Sequence, residues 1–199
     1  MQKRSLQSTD NKANSSGTLV FVVGASGVGK DTLLDGAKHA LKRHPKVRFV
    51  QRDITRPIDS GGEDHRAVSE SEFLELRAAG AYALDWAANG LYYGLPASLI
   101  GDLAAGYVVI ANGSRAAIAQ ARLNFPSLLI VNIVADAEIV AERLQKRGRE
   151  SGLELRRRIE RGAAIVVTGN DVVSIVNNGD ASTAVEHLVT AIVARACKA

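Results

Sequence analysis

The stretch LVFVVGASGVGKDT, residues 19–32, holds three residues at the spacing of a phosphate cradle. Gly24, Gly29 and Lys30 satisfy the pattern Gly-x-x-x-x-Gly-Lys, with Ala25, Ser26, Gly27 and Val28 between them. A glycine-rich turn between a strand and a helix exposes consecutive backbone N–H groups, and the helix N-terminus behind them favours an anion. Lys30 adds a mobile positive charge suited to the β and γ phosphates of a nucleotide such as ATP. The pattern then asks for Ser or Thr, whose hydroxyl ligates magnesium. This chain has Asp31 there and Thr32 one place later. A carboxylate beside phosphates repels them unless a cation lies between, so Asp31 is expected to organise Mg2+, a hard ion that takes oxygen ligands. The plainer alternative is an acidic first-turn residue that only suits the helix N-terminus. For the loop as a whole the plain alternative is a glycine turn joining strand to helix. An apolar strand before it and an amphipathic helix after it favour phosphate binding.

Arginines are the other chemistry-bearing residues, and they gather in two segments. Arg52 and Arg56 lie in the first; Arg143, Arg147, Arg149, Arg156, Arg157 and Arg158 lie in or beside KRGRESGLELRRRIER, residues 146–161. A sugar hydroxyl commonly needs a catalytic base to become a nucleophile. A phosphate oxygen is already ionised near neutral pH and needs only alignment and charge neutralisation. No His–Asp pair has motif support as a base, so the arginines suit a phosphate acceptor. Half of the second group reads equally well as a solvated helical face. Arg147 and Arg149, which flank Gly148, and Arg158, one helical turn further on, are the better catalytic candidates beside Lys30.

The elements that must position these residues alternate. TLVFVV (18–23), VRFV (47–50), YVVIA (107–111), SLLIVNIV (127–134) and VVSIV (172–176) read as buried strands. Helical spacing follows the first in Leu33, Leu34, Ala37 and Leu41, and returns from Asp136 to about Arg147 and in Val185, Leu188, Val189, Ile192 and Val193. Residues 52–68 lack periodicity and read as a long loop, after which Ser69 and Glu72 form a capping box. Strands separated by helices predict an α/β fold with a parallel sheet flanked by helices, and its ligand lies at the carboxyl ends of the strands. Residues 1–17 read as a polar, disordered tail and 18–199 as one domain, with an acceptor-binding lobe at about 52–95 and a lid at about 147–157.

Composition narrows the class. No apolar run approaches a membrane helix of about 20 residues, and the polar N-terminus reads as neither signal nor anchor. The single Cys197 has no intrachain partner, which suits a reducing cytoplasm. A net charge of +4 with no aromatic–basic platform argues against a nucleic-acid binder.

The ordered motifs resemble the guanylate kinases across residues 18–195. GASGVGK is similar to their P-loop, and TRP (55–57), GGED (61–64) and AVSESEF (67–73) to their acceptor-binding segment. LDWAANGLYYG (84–94) is similar to their Trp and Tyr-Tyr-Gly motif, ERLQKRGRE (142–150) to their lid, and IVNN (175–178) to their adenine-side turn. The resemblance implies a P-loop NTPase fold, ATP and Mg2+. It also implies an acceptor site at Arg52, Arg56, His65, Asp85 and Tyr93, with Asn177 near the adenine and Tyr92 more at home in the core. His65 stands where the family has its acceptor-phosphate tyrosine, and Asp85 where it has its first guanine-reading acid. The second reader is missing from IANGSR (110–115), and the family's second arginine is replaced near Asp59. GKD for GKS, NGSR and NGLYYG resemble one branch of the fold, the ribose 1,5-bisphosphate phosphokinases. That likeness implies transfer of the ATP γ-phosphate to ribose 1,5-bisphosphate, giving 5-phosphoribosyl 1-diphosphate in phosphonate catabolism. A nucleoside monophosphate kinase and a non-catalytic guanylate-kinase-like binding domain remain as alternatives. The latter has no need of Lys30 or the lid arginines.

Overall fold

Each buried apolar run becomes a strand, and the strands sort into two sheets. The computed structural model describes residues 17–57, 63–146 and 165–197. The first sheet is parallel, with β1 (Thr18–Gly24) at its centre. On one side lie β7 (Val108–Asn112) and β2 (Val47–Phe49), on the other β8 (Leu128–Val134) and β9 (Val172–Val176). Successive side chains of a strand point to opposite faces, and β1 spends both faces on core. Val20 and Val22 pack with Leu33 of α1 (Lys30–Ala40), Val140 of α5 (Ala137–Lys146) and Leu188 of α6 (Ala181–Ala196). Leu19, Phe21 and Val23 pack with Leu103 of α3 (Leu99–Ala104), Ala121 of α4 (Ile118–Asn124) and Trp86. No described helix is long and apolar enough to cross a membrane.

The segment expected to be one long loop holds two short strands, and they help to found a second sheet. β3 (Asp53–Ile54) and β4 (Arg66–Ala67) pair in parallel, and β3 runs antiparallel to β6 (Leu91–Pro96), which pairs with β5 (Tyr82–Ala88). The turn between β5 and β6 is Asn89–Gly90, with φ of 52° and 73°. Both values lie in the left-handed region that an Asn-Gly hairpin turn requires. Before this sheet's hairpin, α2 (Glu70–Ala78) starts at Ser69, whose hydroxyl accepts from the Glu72 N–H at 3.1 Å. Buried Asp53 ties β3 to β4 and β5, accepting from Arg66 Nε at 2.8 Å and from the Tyr82 hydroxyl at 2.7 Å. Burial alone would lift the Asp53 carboxyl, but those two bonds outweigh it and hold it below its ordinary value.

The start of the fold differs by one residue from the expected tail boundary. Gly17 is buried and donates to the Leu103 carbonyl at 3.0 Å. A Cβ there would stand 2.3 Å from the Tyr107 carbonyl oxygen. The expected lid, and with it Arg147, Arg149, Arg156, Arg157 and Arg158, lies outside the described residues, as does Asp59.

Candidate active site

The Gly24–Lys30 loop leaves the carboxyl end of β1 and runs straight into α1. Gly29 is the N-cap residue, at φ 92°, and no side chain caps the helix. The first-turn N–H groups therefore point out of the helix end as free anion donors. Glycine is required at position 29 twice over, because a Cβ there would stand 2.5 Å from the Asn177 side-chain nitrogen. Lys30 folds back over the loop, with Nζ donating to the carbonyl of Gly24 at 3.2 Å and of Ala25 at 3.4 Å. Burial pulls its ammonium below the ordinary value; Arg52 and Arg115 add to that pull, while Asp31 and Glu63 oppose it.

Across a cleft of about 210 Å³ the second sheet presents Arg52, Arg56, Trp86 and Tyr93. Alternation along β6 separates the two tyrosines. Tyr92 stacks on Phe73 at 5.4 Å, and Tyr93 stacks on Trp86 at 5.5 Å with the rings 5° from parallel. The Arg52 guanidinium lies 4.9 Å from the Tyr93 ring centre and 5.7 Å from that of Trp86. It is held there by Glu63, with Nε donating to Oε1 at 2.8 Å, and by the Asn112 carbonyl at 2.9 Å. Arg56 is different. Its Nε and Nη2 are buried with no hydrogen-bond partner. Buried guanidinium donors without partners are costly, and here they border the cleft.

Asp31 also lines the cleft, beside Lys30. Its Oδ1 accepts from Asn112 Nδ2 at 3.1 Å, and the same nitrogen donates to Glu63 Oε2. No group of three or more His, Cys, Asp or Glu side chains suited to a metal occurs among the described residues. Two nearby carboxylates with phosphates and water suit Mg2+, which keeps several waters and seldom takes an all-protein cage.

No family model matches the chain. A ribose 1,5-bisphosphate phosphokinase from Agrobacterium fabrum is 48% identical over 161 residues, covering 81% of this chain and 88% of that protein. The chain belongs to the ribose 1,5-bisphosphate phosphokinase family. It is also similar to a bifunctional ribose 1,5-bisphosphokinase–thymidine phosphorylase from Azorhizobium caulinodans, at 43% identity over 92% of this chain but only 26% of that longer protein. Among solved structures, a guanylate kinase from Anaplasma phagocytophilum superposes with a TM-score of 0.65 at 18% identity, over 90% of this chain and 86% of that one. That likeness carries the fold: a P-loop kinase sheet flanked by helices.

Within this family member the expected site residues divide into two sets. Gly24, Ser26, Lys30, Asp31, Arg52, Arg56 and Tyr93 border one cleft. Ala25, Gly27, Val28, Gly29 and Thr32 complete the loop and the first turn of α1, with Val28 buried and Thr32 exposed. Asp85, His65 and Asn177 do not border that cleft. Asp85 pairs with Arg77 of α2 at 2.9 Å. His65 is buried, its ring nitrogens 2.9 Å from the Glu63 carbonyl and 3.0 Å from the Arg56 carbonyl, so it ties Glu63 to Arg56. Asn177 is 3% exposed and lies behind the phosphate loop. Its amide donates to the Val28 carbonyl at 2.7 Å, and Arg143 donates to the Asn177 carbonyl at 2.9 Å.

Sequence reasoning gave no individual role to Glu63, Asn112 or Trp86, which entered only inside the motifs GGED, NGSR and LDWAANGLYYG. Asn112 nevertheless ends β7, a direct neighbour of β1, and so reaches the carboxyl edge of the sheet where ligands bind.

Proposed function

We propose that this cleft transfers the γ-phosphate of ATP to the 1-phosphate of ribose 1,5-bisphosphate, giving 5-phosphoribosyl 1-diphosphate and ADP. The observation that carries the reading is Arg56, a half-buried cation whose Nε and Nη2 are buried without partners, which faces the phosphate loop across the cleft. Lys30 and the loop N–H groups from Gly24 to Thr32 bind the β and γ phosphates. Arg56, Arg52 and Tyr93 hold the acceptor phosphate, whose oxygen forms the new O–P bond as the bond between the β-phosphate oxygen and the γ phosphorus breaks. Charge neutralisation and alignment do the work, because the nucleophile arrives ionised. Asp31 would hold Mg2+, which when bound would neutralise charge on the nucleotide phosphates. Arg147, Arg149 and Arg158 keep the catalytic role that the family resemblance gives them, and cytoplasmic phosphonate breakdown is the proposed setting.

A guanylate kinase reading has less support. Asp85 is spent on Arg77, and the β7 end that carries guanine readers in that family holds Asn112, already donating to two carboxylates. A site that reads a base edge keeps its polar partners. The deciding experiment is a coupled ADP-release assay comparing ribose 1,5-bisphosphate with GMP and the other nucleoside monophosphates. The sugar bisphosphate is expected to be by far the better acceptor. Efficient turnover of GMP with none of the sugar bisphosphate would overturn the proposal.

A further inference from the structure

Among the described residues, the buried side-chain nitrogens and oxygens without a hydrogen-bond partner belong to Arg56, Trp86, Asn112 and Asn177, and the first three border the one cleft. The Arg56 nitrogens have a role there already, as donors to the acceptor phosphate. Trp86 Nε1 and Asn112 Oδ1 have none. Trp86 is 7% exposed on β5, directly opposite Tyr93 of β6. Its ring is engaged on several sides: Tyr93 stacks on it at 5.5 Å, the Phe21 ring meets it at 6.0 Å and 88°, and the Arg52 guanidinium lies 5.7 Å from its centre. A phenylalanine would serve those contacts as well. What tryptophan adds is Nε1–H, and that group is buried with no partner. Buried indole N–H groups usually find one.

The chemistry of the two atoms narrows the ligand. An indole N–H only donates, so the group it lacks is an acceptor. Asn112, at the end of β7, is 7% exposed, and its Nδ2 is fixed by donating to Asp31 and Glu63. The orphan is therefore its oxygen, which only accepts, so the group it lacks is a donor. Arg52 links the two residues, since it lies beside the indole and donates to the Asn112 main-chain carbonyl at 2.9 Å. A fully ionised phosphate meets the first need and has no proton for the second. Phosphates are also what the cationic Arg52 and Arg56 suit. Hydroxyls meet both needs, because each accepts and donates. A ribose bisphosphate carries its hydroxyls on the ring between the two phosphates.

We propose that the Trp86 indole N–H donates to a hydroxyl of the acceptor's pentose ring, so that Trp86 selects the sugar as Arg52 and Arg56 select its phosphate. The inference rests on the reading of this cleft as the acceptor site for ribose 1,5-bisphosphate and adds a specificity-determining residue to it. Trp86 acts in binding and not in transfer. Its N–H is neutral and meets a hydroxyl that takes no part in the reaction, so its loss falls on KM and not on kcat.

Trp86 is the single tryptophan of the chain, so the isotope-labelled full chain gives one indole N–H resonance in a nitrogen–proton NMR spectrum. Ribose 1,5-bisphosphate without ATP is expected to move that proton downfield. 1,5-Pentanediol bisphosphate, which carries two phosphates and no hydroxyl, is expected to leave it in place. Trp86→Phe keeps the ring packing and removes the donor. Its KM for ribose 1,5-bisphosphate is expected to rise about threefold to tenfold, the range of one neutral hydrogen bond, with kcat and the inhibition constant of 1,5-pentanediol bisphosphate unchanged. An unmoved indole proton, with ribose 1,5-bisphosphate bound by calorimetry, would overturn the proposal and leave the acceptor reading standing. So would an equal shift with the hydroxyl-free compound, because the N–H would then serve a phosphate, and so would a wild-type KM in a Trp86→Phe protein that folds by circular dichroism. No calorimetric binding of ribose 1,5-bisphosphate would overturn the acceptor reading itself, and the role of Trp86 with it.

Discussion

Arg56→Ala separates the two things a guanidinium with two buried, unpartnered nitrogens does. In the protein alone Nε and Nη2 are buried without a hydrogen-bond partner, which weighs against the folded state. With an anionic acceptor in place the same two groups become charge-assisted hydrogen bonds. Such bonds contribute about 1.5–3 kcal/mol each, and with some allowance for non-additivity the pair gives roughly 3–4 kcal/mol. At 1.4 kcal/mol per decade this is a rise of about a hundred- to a thousandfold in the KM for ribose 1,5-bisphosphate. The dissociation constant for an ATP analogue should change little, because Arg56 stands on the acceptor side of the cleft. Stability should move the other way. Removing the orphaned donors relieves a penalty of about 1 kcal/mol or more, so the melting temperature of the ligand-free protein should hold or rise by a few degrees. ADP release, analogue binding and a thermal melt give the three readings. A lower melting temperature with an unchanged acceptor KM would show Arg56 to be a structural strut, and collapse of ATP binding would refute the division of the cleft.

Asp31→Asn should raise the magnesium concentration needed for half-maximal turnover, and Asp31→Ser, which restores the usual P-loop residue, should recover part of the loss; unchanged activity across magnesium concentrations would make the carboxylate incidental. Gly29→Ala places a Cβ at φ 92° and 2.5 Å from the Asn177 nitrogen, so ATP-analogue affinity should fall at least about tenfold, given a left-handed penalty of about 1–2 kcal/mol plus the displaced amide; calorimetry checks it. Asp53→Asn should destabilise the protein by about 2–3 kcal/mol at neutral pH, since it weakens buried bonds to a charged group. The native Asp53 carboxyl sits below its ordinary 3.8, so its contribution is complete above that pH and is lost as pH falls through the depressed value. Melting curves of wild type and variant should therefore converge in acid, and a gap that persists in strong acid would contradict the account.

Local patterns in the sequence were enough for the parallel sheet, because each of its strands is a short, mostly apolar run rich in β-branched residues. The second sheet was harder to see. β3 and β4 are two residues long, too short for any periodicity, and they exist only because Asp53 and Ile54 find β6 across the chain. The β5–β6 hairpin has a local signal in the Asn89–Gly90 pair, which the sequence reading used only as part of a family motif. For the site, Lys30, Asp31, Arg52, Arg56 and Tyr93 follow from motif position, while the roles of Glu63, Asn112 and Asn177 do not. Asn112 meets Asp31 across 81 residues and Glu63 across 49, and Asn177 meets Val28 across 149. No local pattern encodes such contacts, and an asparagine at a strand end carries no charge to draw notice.

Arg52 and Arg56 divide the positive charge of the cleft between a clamped cation and one with two unpartnered nitrogens. Four cationic or potentially cationic groups crowd the region: Lys30, Arg52, Arg56 and Arg115. Left together without anions, they would repel one another and oppose folding. Glu63 removes most of that difficulty by clamping Arg52 against Tyr93 and Trp86, while Asp31 offsets Lys30. If both arginines were clamped, an entering phosphate would have to break two ion pairs before gaining anything. With Arg56 left unpaired, the first contact of the acceptor phosphate displaces no protein partner from its two bare nitrogens and is wholly favourable there. Arg52 can then exchange part of its hold on Glu63 for the same phosphate.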